Sequence, residues 1–222
     1  PGQDPAAYLR LYRLLRRLRP AVLHTRNFGT LDCQLVGWLA GVPVRIHGEH
    51  GWDVHDPDGT NRKHRLLRRA LAPLVHRFVA VSRDLERWLI DVVSVPEHQI
   101  TRVCNGVDTD RFTQAASRPP RPDTVPGTGV ARSVTRFAAL KDPLNLVGAF
   151  VEARRRLAGS GIDLRLEMLG DGPLRAPALE LLEQAGEARA AWLPGSRDDV
   201  AARLGGFDLF VLGSRREGIS NT

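Results

Sequence analysis

The chain has 222 residues, of which 42% are hydrophobic and 26% are charged, and its formal net charge is +7. This length and this apolar content exclude a disordered chain and predict one or two globular domains with ordinary cores. The positive charge would suit nucleic acid, an anionic membrane face or phosphorylated substrates, and it does not choose among them.

Neither a membrane span nor a secretory signal is visible in the sequence. No segment has the roughly 18 consecutive apolar residues of a transmembrane helix, and no signal peptide opens the chain. These features favour a cytoplasmic protein. The absence of a starting Met, and an end at Ser-Asn-Thr directly after an apolar strand, lead us to expect a fragment that lacks both ends.

Helices and strands alternate over residues 1–112. An amphipathic helix is predicted from Ala6 to Arg19, with leucines on one face and arginines on the other. Further helices are predicted at 30–39, 61–71 and 84–93, and strands at 21–24, 43–47, 77–82 and 100–103. Such alternation with short loops favours a mostly parallel sheet.

The composition changes between residues 113 and 128, where prolines replace apolar residues and indicate a linker. Beyond it, strands are predicted at 130–137, 163–169, 190–193 and 207–212, and helices at 143–157, 174–185 and 198–204. The chain is therefore predicted to form two α/β domains, 1–112 and 129–222. In parallel sheets of this kind, ligands bind at the carboxyl ends of the strands.

Two cations follow the first strand of the second domain. Arg136 and Lys141 lie five residues apart, at the carboxyl end of that strand and just before a helix. An arginine fork, a lysine charge and a helix N-terminus can together neutralise a diphosphate without a metal. Ordinary surface charges in a loop would give the same pattern, so the spacing alone leaves both interpretations open.

Two further loops of the second domain follow strands at the same predicted edge. Gly170-Asp171-Gly172-Pro173 permits a tight turn and the close approach of a ligand, although it is also common turn chemistry. The last loop offers the carboxylate of Glu217, followed by Gly218, Ile219, Ser220 and Asn221. Its groups could bind sugar hydroxyls and phosphate, or only cap a helix.

Titratable groups also follow a strand of the first domain, in His47-Gly48-Glu49-His50. The spacing of the two histidines lacks a third convincing metal ligand, and neither Cys33 nor Cys104 supplies one, so no metal site is predicted. His50 could contact a sugar or an acceptor, or it could be a structural histidine with satisfied hydrogen bonds.

Six segments, in this order and spacing, resemble family 4 of the retaining glycosyltransferases with the GT-B fold. They are His47 to Trp52, Ala80 to Leu85, Asn105 to Phe112, Arg136 to Lys141, Gly170 to Pro173 and Glu217 to Asn221. The first half is most similar to the subgroup encoded with exosortase and PEP-CTERM exopolysaccharide systems. The resemblance implies an α/β protein with two Rossmann-like domains, both incomplete here.

The resemblance implies transfer of a sugar, with retention, from a UDP- or GDP-linked nucleotide-sugar to a glycan or lipid-linked acceptor, with no cofactor. Arg136 and Lys141 would stabilise the leaving diphosphate, while Glu217 and the backbone after it would hold the sugar and its phosphates. His50 would line the acceptor side. Pro194 and Gly195 would lie beside the nucleobase.

Thr135 departs from the pattern, because family members usually carry Gly there, and it is expected to crowd the diphosphate. A second glutamate and an N-terminal glycine-rich loop are absent, so the chain by itself is expected to be inactive. The main alternative is a basic binding protein that contacts nucleic acid or an acidic membrane through residues 9–19 and 61–71. We favour the enzyme, with no nucleic-acid partner and with peripheral contact to the inner face of the cell membrane left open.

Overall fold

The computed structural model describes residues 4–53, 56–112, 128–204, 209–217 and 219–222. These residues divide into two compact units. The first comprises Pro1–Gly106 and Glu217–Asn221, and the second comprises Val107–Arg216 and Thr222. The predicted linker, 113–128, lies outside the described residues except for Thr128, which opens a strand.

The first unit is a parallel sheet of four strands connected by helices. Its elements in chain order are α1 (Pro5–Leu18), β1 (Val22–Arg26), α2 (Cys33–Leu39), β2 (Val44–Glu49), α3 (Arg62–Leu71), β3 (Arg77–Ala80), α4 (Arg83–Trp88) and β4 (Ile100–Arg102). A π-helical turn, Leu89–Val93, continues α4. The strands lie in the order β1-β2-β3-β4 and every pair is parallel.

The second unit is also a parallel sheet of four strands. Its elements are β5 (Thr128–Val134), α5 (Pro143–Leu157), β6 (Asp163–Leu169), α6 (Arg175–Gln184), β7 (Ala191–Gly195), α7 (Val200–Leu204) and β8 (Leu209–Phe210). The order is β7-β6-β5-β8, again parallel throughout. Because the chain adds β6 and β7 on one side of β5 and β8 on the other, β5 and β8 flank a topological switch point.

Apolar periodicity explains why these elements pack. The first core contains Phe78, Leu85 and Leu89, and the second contains Phe137 and Met168, all almost without solvent exposure. A third cluster lies beneath α1, where Leu15 packs on Val36, Ala40 and Val42. The arginines of α1 are exposed, as the amphipathic pattern predicts.

The two parallel sheets confirm the predicted α/β class. The helices and strands lie where the sequence places them, with ends that differ by a few residues, such as β5, which ends at Val134 rather than at 137. The strand ends at Val134 because its pairing with β6 ends there, opposite Leu169, the last residue of β6. Within the described ranges, no helix combines the length and the apolar character needed to cross a bilayer.

Candidate functional site

Three loops of the second unit leave the carboxyl ends of neighbouring parallel strands. They follow β5, β6 and β7, and a fourth follows β8 on the other side of β5. In open parallel sheets, ligands bind in the crevice beside such a switch point, because the loops on its two sides diverge. The topology therefore brings the predicted phosphate-binding loops to one edge of one sheet.

Two glycines allow the loop after β6 to lie against the loop after β5. Gly170 has φ +127°, and a Cβ there would lie 2.0 Å from the carbonyl oxygen of Thr135. At Gly172, with φ +149°, a Cβ would lie 2.5 Å from the carbonyl oxygen of Phe137. The amide of Phe137 donates to the carbonyl of Asp171 at 3.0 Å. No side chain fits at either glycine, so the motif has a structural role as well as the proposed functional one.

The loop after β7 is attached to the same edge. The amide of Gly170 donates to the carbonyl of Gly195 at 2.9 Å, and Arg175 donates from Nε and Nη2 to the carbonyl of Leu193, at 3.1 and 2.6 Å. Pro194 and Gly195 thus lie next to the loop that carries Asp171. Asp171 is exposed and accepts the amide of Gly172 at 2.7 Å.

Arg136 and Lys141 lie in the loop between β5 and α5. Arg136 is exposed between Thr135 and Phe137, which are buried, so the alternation of the backbone directs the arginine outward. Lys141 ends a 3-10 turn, Ala139–Lys141, and stands two residues before the first residue of α5. Both cations therefore lie at the end of one strand, next to the N-terminus of a helix of 15 residues.

Thr135, the residue that departs from the family pattern, is 9% exposed, and its hydroxyl has no hydrogen-bond partner among the described residues. Its amide donates to the carbonyl of Leu169 at 2.9 Å, which extends the pairing of β5 with β6. The side chain is thus packed inside the unit. The expectation that it crowds a diphosphate stays a prediction.

The loop after β8 contributes a cation that the sequence did not single out. The amide of Arg215 donates to the carbonyl of Leu140 at 3.0 Å, and its Nε donates to Asp142 Oδ2 at 2.8 Å. Asp142 precedes α5 with φ 45°. Arg215 therefore neutralises the carboxylate next to Lys141. Arg215 and Asp142 are 73 positions apart in the sequence, so no local sequence pattern indicates that they pair.

Residues 217–221 group with the first unit. Ile219 packs against its core, Ser220 is half-buried and Asn221 is exposed, while Gly218 lies outside the described residues. Glu217 is half-buried. The grouping of Glu217 with Arg136 and Lys141 around one donor stays a prediction.

His50 follows β2 in the first unit and is held in place by β1. Its amide donates to Asn27 Oδ1 at 2.8 Å, and its Nδ1 lies 3.2 Å from Arg26 Nη2. Since arginine can only donate, Nδ1 is the acceptor and the proton lies on Nε2. Burial, and then the positive charge of Arg26, lower the pKa of His50. A Cβ at Gly48 would lie 2.6 Å from Nε2, so any larger residue there would displace this ring.

His47 is a structural histidine rather than a ligand-binding one. It is fully buried, with Nδ1 2.7 Å from the hydroxyl of Thr25 and Nε2 3.4 Å from Glu49 Oε1. Gln34 completes the group by donating to the same hydroxyl at 2.6 Å. His47, the first histidine of the His-x-x-His pair, therefore makes its polar contacts inside the unit.

Glu49 and Arg68 form a buried ion pair that sequence reasoning missed. Arg68 is 4% exposed, and its Nε donates to Glu49 Oε1 at 2.6 Å. Its guanidinium lies 4.8 Å from the ring centre of Phe28 and 4.9 Å from that of Trp88. Although burial opposes it, the contacts with His47 and Arg68 lower the pKa of Glu49. The sequence pattern of α3 indicated a basic surface and gave no sign of a buried arginine.

A cavity of about 310 Å³ opens above this ion pair. Its lining residues are Asn27, Phe28, Glu49, Gly51, Trp52, Asp53 and Arg68. Aromatic walls with a few fixed polar groups are typical of small-molecule sites. In the described part of the chain, no three His, Cys, Asp or Glu side chains come together in a way that could hold a metal ion.

Comparison with known proteins adds evidence of ancestry. The sequence model of Glycosyltransferase Family 4 matches residues 1–111. The chain is 27% identical over 206 residues to the protein named "Putative glycosyltransferase EpsF" from Bacillus subtilis (strain 168), an alignment that covers 88% of this chain and 51% of that protein. The chain thus spans about half the length of this relative.

Solved structures share the fold. Anabaena Alr3699/HepE, in complex with UDP and glucose, matches with a TM-score of 0.73 at 14% identity, covering 96% of this chain and 59% of that one. Sucrose-phosphate synthase from Thermosynechococcus elongatus matches with a TM-score of 0.74 at 16% identity, covering 98% of this chain and 56% of that one. Identities this low show the fold alone, which is that of the GT-B glycosyltransferases. The sequence model of Glycosyltransferase Family 4 matches half of the residues of this chain, so the chain belongs to Glycosyltransferase Family 4.

Proposed function

We propose that the protein represented by this chain is a glycosyltransferase that moves a sugar from a UDP- or GDP-linked donor to a glycan or lipid-linked acceptor, with retention of configuration. One observation carries the proposal. Arg136 is directed outward at the switch point of the second sheet, and Lys141 lies in the same loop, immediately before α5. The family membership and the GT-B fold support it.

The electrostatics of this edge suit a diphosphate. Two cationic side chains and the positive end of α5 all follow one strand, and anions are stabilised at such ends. Asp142, the nearest carboxylate in the loop, is paired with Arg215 and so does not oppose an anionic ligand. These groups are already in position to stabilise the negative charge that develops on a leaving diphosphate, so the proposed reaction requires no metal.

In the proposed reaction the bond between the anomeric carbon and the donor phosphate oxygen breaks, and its electron pair stays on the nucleoside diphosphate. The acceptor hydroxyl oxygen bonds to the same face of that carbon, and its proton goes to the departing phosphate. Arg136 and Lys141 stabilise the phosphate as it leaves. Fixed cations of this kind contribute most when charge is greatest, in the transition state.

Other residues receive roles by position in the family motifs. Glu217, together with Gly218, Ile219, Ser220 and Asn221, binds the transferred sugar and its phosphates. Gly170, Asp171 and Gly172 border the phosphates, and Pro194 with Gly195 borders the nucleobase. His50 contacts the sugar from the acceptor side as a neutral imidazole, in agreement with its lowered pKa.

We further propose a role in exopolysaccharide or cell-surface glycan synthesis, within the PEP-CTERM subgroup. Similarity to the Bacillus subtilis protein named "Putative glycosyltransferase EpsF" supports a glycosyltransferase, while the role and the subgroup rest on the sequence resemblance. A structural neighbour that was solved with UDP and glucose makes UDP-sugars the first donors to test.

The test uses the full-length enzyme and a panel of UDP- and GDP-sugars, with release of the nucleoside diphosphate as the readout. Lys141→Ala is expected to lower the rate by about 100-fold or more, because a charge-stabilising group is lost. Lys63→Ala is the matched control, since Lys63 is the other lysine of the chain and is exposed on α3.

Two results would count against the proposal. A near-normal rate for Lys141→Ala would remove that residue from the mechanism. A full-length protein that neither binds nor turns over any member of the panel would rule out the donor class. Retention is read separately, from the anomeric configuration of the product by NMR.

A further inference from the structure

Arg215 contacts both sequence neighbours of Lys141 in the second unit. Its amide donates to the carbonyl of Leu140 at 3.0 Å, and its Nε donates to Asp142 Oδ2 at 2.8 Å. Leu140 directly precedes Lys141, and Asp142 directly follows it. One residue of the loop after β8 therefore holds the backbone on both sides of the lysine that is proposed to bind phosphate.

Close packing at Gly213 accompanies these two hydrogen bonds. A Cβ at Gly213 would lie 3.3 Å from Leu146 Cβ and 3.7 Å from the carbonyl oxygen of Asp142. Gly213 precedes Arg215 by two residues, and Leu146 lies near the start of α5. The loop after β8 therefore lies directly against the turn that connects Lys141 to α5.

The backbone of Asp142 is in the left-handed region, with φ 45° and ψ 54°. This conformation is unfavourable for most residues that have a Cβ. Asp142 stands just before α5, where a carboxylate commonly accepts amides of the first helical turn. Among the described residues, however, its side chain makes no such capping hydrogen bond. The carboxylate is bound by Arg215 instead.

The position of Asp142 makes its charge important for an anionic ligand. The carboxylate lies at the N-terminus of a helix of 15 residues and next to Lys141, where the diphosphate is proposed to bind. A carboxylate without a counter-charge would repel the diphosphate and would compete with it for the cationic groups of this edge. Arg215 supplies the counter-charge.

The exposure of the ion pair indicates where its effect should be seen. The side chain of Arg215 is 69% exposed, and that of Asp142 is 19% exposed. An ion pair with one partner this exposed contributes little to folding stability. Its main consequence is therefore expected in the electrostatics of the ligand site rather than in the stability of the unit.

We propose that Arg215 is a positioning residue for the transfer reaction. It holds the turn that contains Lys141 and neutralises Asp142, and it thereby allows a diphosphate to bind beside the N-terminus of α5. This inference rests on the proposed glycosyltransferase function and extends it to a residue outside the six family segments. The charge of Arg215 acts through Asp142, so the effect of removing it should disappear when Asp142 has no charge.

The experiment measures kcat and KM of the full-length enzyme for the donor that the panel of UDP- and GDP-sugars identifies. Arg215→Gln is expected to lower kcat/KM about 10-fold, because it leaves a carboxylate without a counter-charge next to the diphosphate. Most of this loss should lie in kcat, since the negative charge on the diphosphate is greatest as it leaves. Arg215→Lys should recover most of the loss, because lysine retains the positive charge.

A double-mutant cycle with Asp142→Asn separates the electrostatic role from a structural one. Asparagine tolerates the left-handed backbone as aspartate does, so the turn is preserved, and Asp142→Asn alone should not lower kcat/KM. Adding Arg215→Gln in this background should change kcat/KM by no more than about twofold. A residue that only fastened the loop would instead show the same loss in both backgrounds.

Arg155→Gln is the matched control. Arg155 pairs with Glu152 near the C-terminal end of α5, and its side chain is 72% exposed, much like that of Arg215. Removing its charge should leave kcat and KM unchanged. Circular dichroism and thermal unfolding verify that every variant retains the native fold.

The outcomes distinguish this proposal from the proposed function. A native kcat/KM for Arg215→Gln in an active enzyme would contradict the positioning role and leave the glycosyltransferase function intact. An equal loss for Arg215→Gln with and without Asp142→Asn would also contradict it, because the charge would then not act through Asp142. If the native enzyme turns over no donor of the panel, the proposed function fails and this inference fails with it.

Discussion

Gly170→Ala tests the contact that positions the phosphate-binding loops. The added Cβ would lie 2.0 Å from the carbonyl oxygen of Thr135, which is a backbone atom and cannot turn away as a side chain can. Contacts of a Cβ below 3.0 Å are essentially never seen. The two loops would have to separate by at least about 1 Å, given ordinary van der Waals distances.

The expected cost has two parts. Alanine at φ +127° carries backbone strain of about 1–3 kcal/mol. Separation of the loops also breaks the hydrogen bonds from Thr135 to Leu169 and from Phe137 to Asp171, which measure 2.9 and 3.0 Å, at about 1 kcal/mol each. We therefore expect local stability to fall by about 3–5 kcal/mol, and Arg136 to be displaced.

Hydrogen exchange at the carboxyl ends of β5 and β6 is the suitable measurement, because it reports the local opening free energy of one unit without assuming that both units unfold together. Two glycines serve as controls. Gly186 has φ +72° with nothing within 4 Å of a Cβ, and Gly148 lies inside α5 with equal space.

The three substitutions therefore separate strain from collision. Gly186→Ala should cost about 1–2 kcal/mol from the left-handed conformation alone. Gly148→Ala should instead stabilise α5 by about 0.5–1 kcal/mol. If Gly170→Ala costs no more than Gly186→Ala, the loops after β5 and β6 are not in backbone contact, and our account of the site edge is refuted.

Three further predictions concern titratable groups of the first unit. Glu49→Gln should lower the free energy of unfolding by about 3–5 kcal/mol at pH 7, since it leaves the charge of Arg68 buried and unpaired. Because the folded-state pKa of Glu49 is lowered, the stabilisation is complete above its unfolded pKa of about 4.3 and is lost as the pH falls through the folded-state pKa. In urea unfolding from pH 7 to 3, the difference in unfolding free energy between the variant and the native chain should therefore shrink. NMR titration should place the pKa of His50 below its usual value, and Arg26→Gln should raise that pKa. An unchanged pKa in the variant would show that the charge of Arg26 does not affect the imidazole. Ultraviolet titration should find the pKa of Tyr8 raised to about 12, chiefly because of its hydrogen bond to Asp32. Asp32→Asn should lower this pKa, and an unchanged pKa would contradict the hydrogen bond.

The sequence alone predicted the alternation of strands and helices, the α/β class and the loops at which polar residues follow strands. It could do so because apolar periodicity and glycine or proline punctuation are local signals that survive without knowledge of the partner strand. Membership of family 4 was confirmed by the match over residues 1–111, whereas the retaining mechanism and the PEP-CTERM subgroup stay predictions. The roles of Arg136, Lys141 and Glu217 stay predictions.

Tertiary structure decided what lies between elements far apart in sequence. The position of β8 beside β5 created the switch point, and the pairing of Arg215 with Asp142 followed from it. The pattern of leucines and arginines in α3 indicates a basic helix. It does not indicate that Arg68 points inward to Glu49 while the neighbouring arginines lie at the surface. Periodicity reports which face of a helix is apolar; a buried charge is retained only where another element supplies its counter-charge, and that element is fixed by the fold.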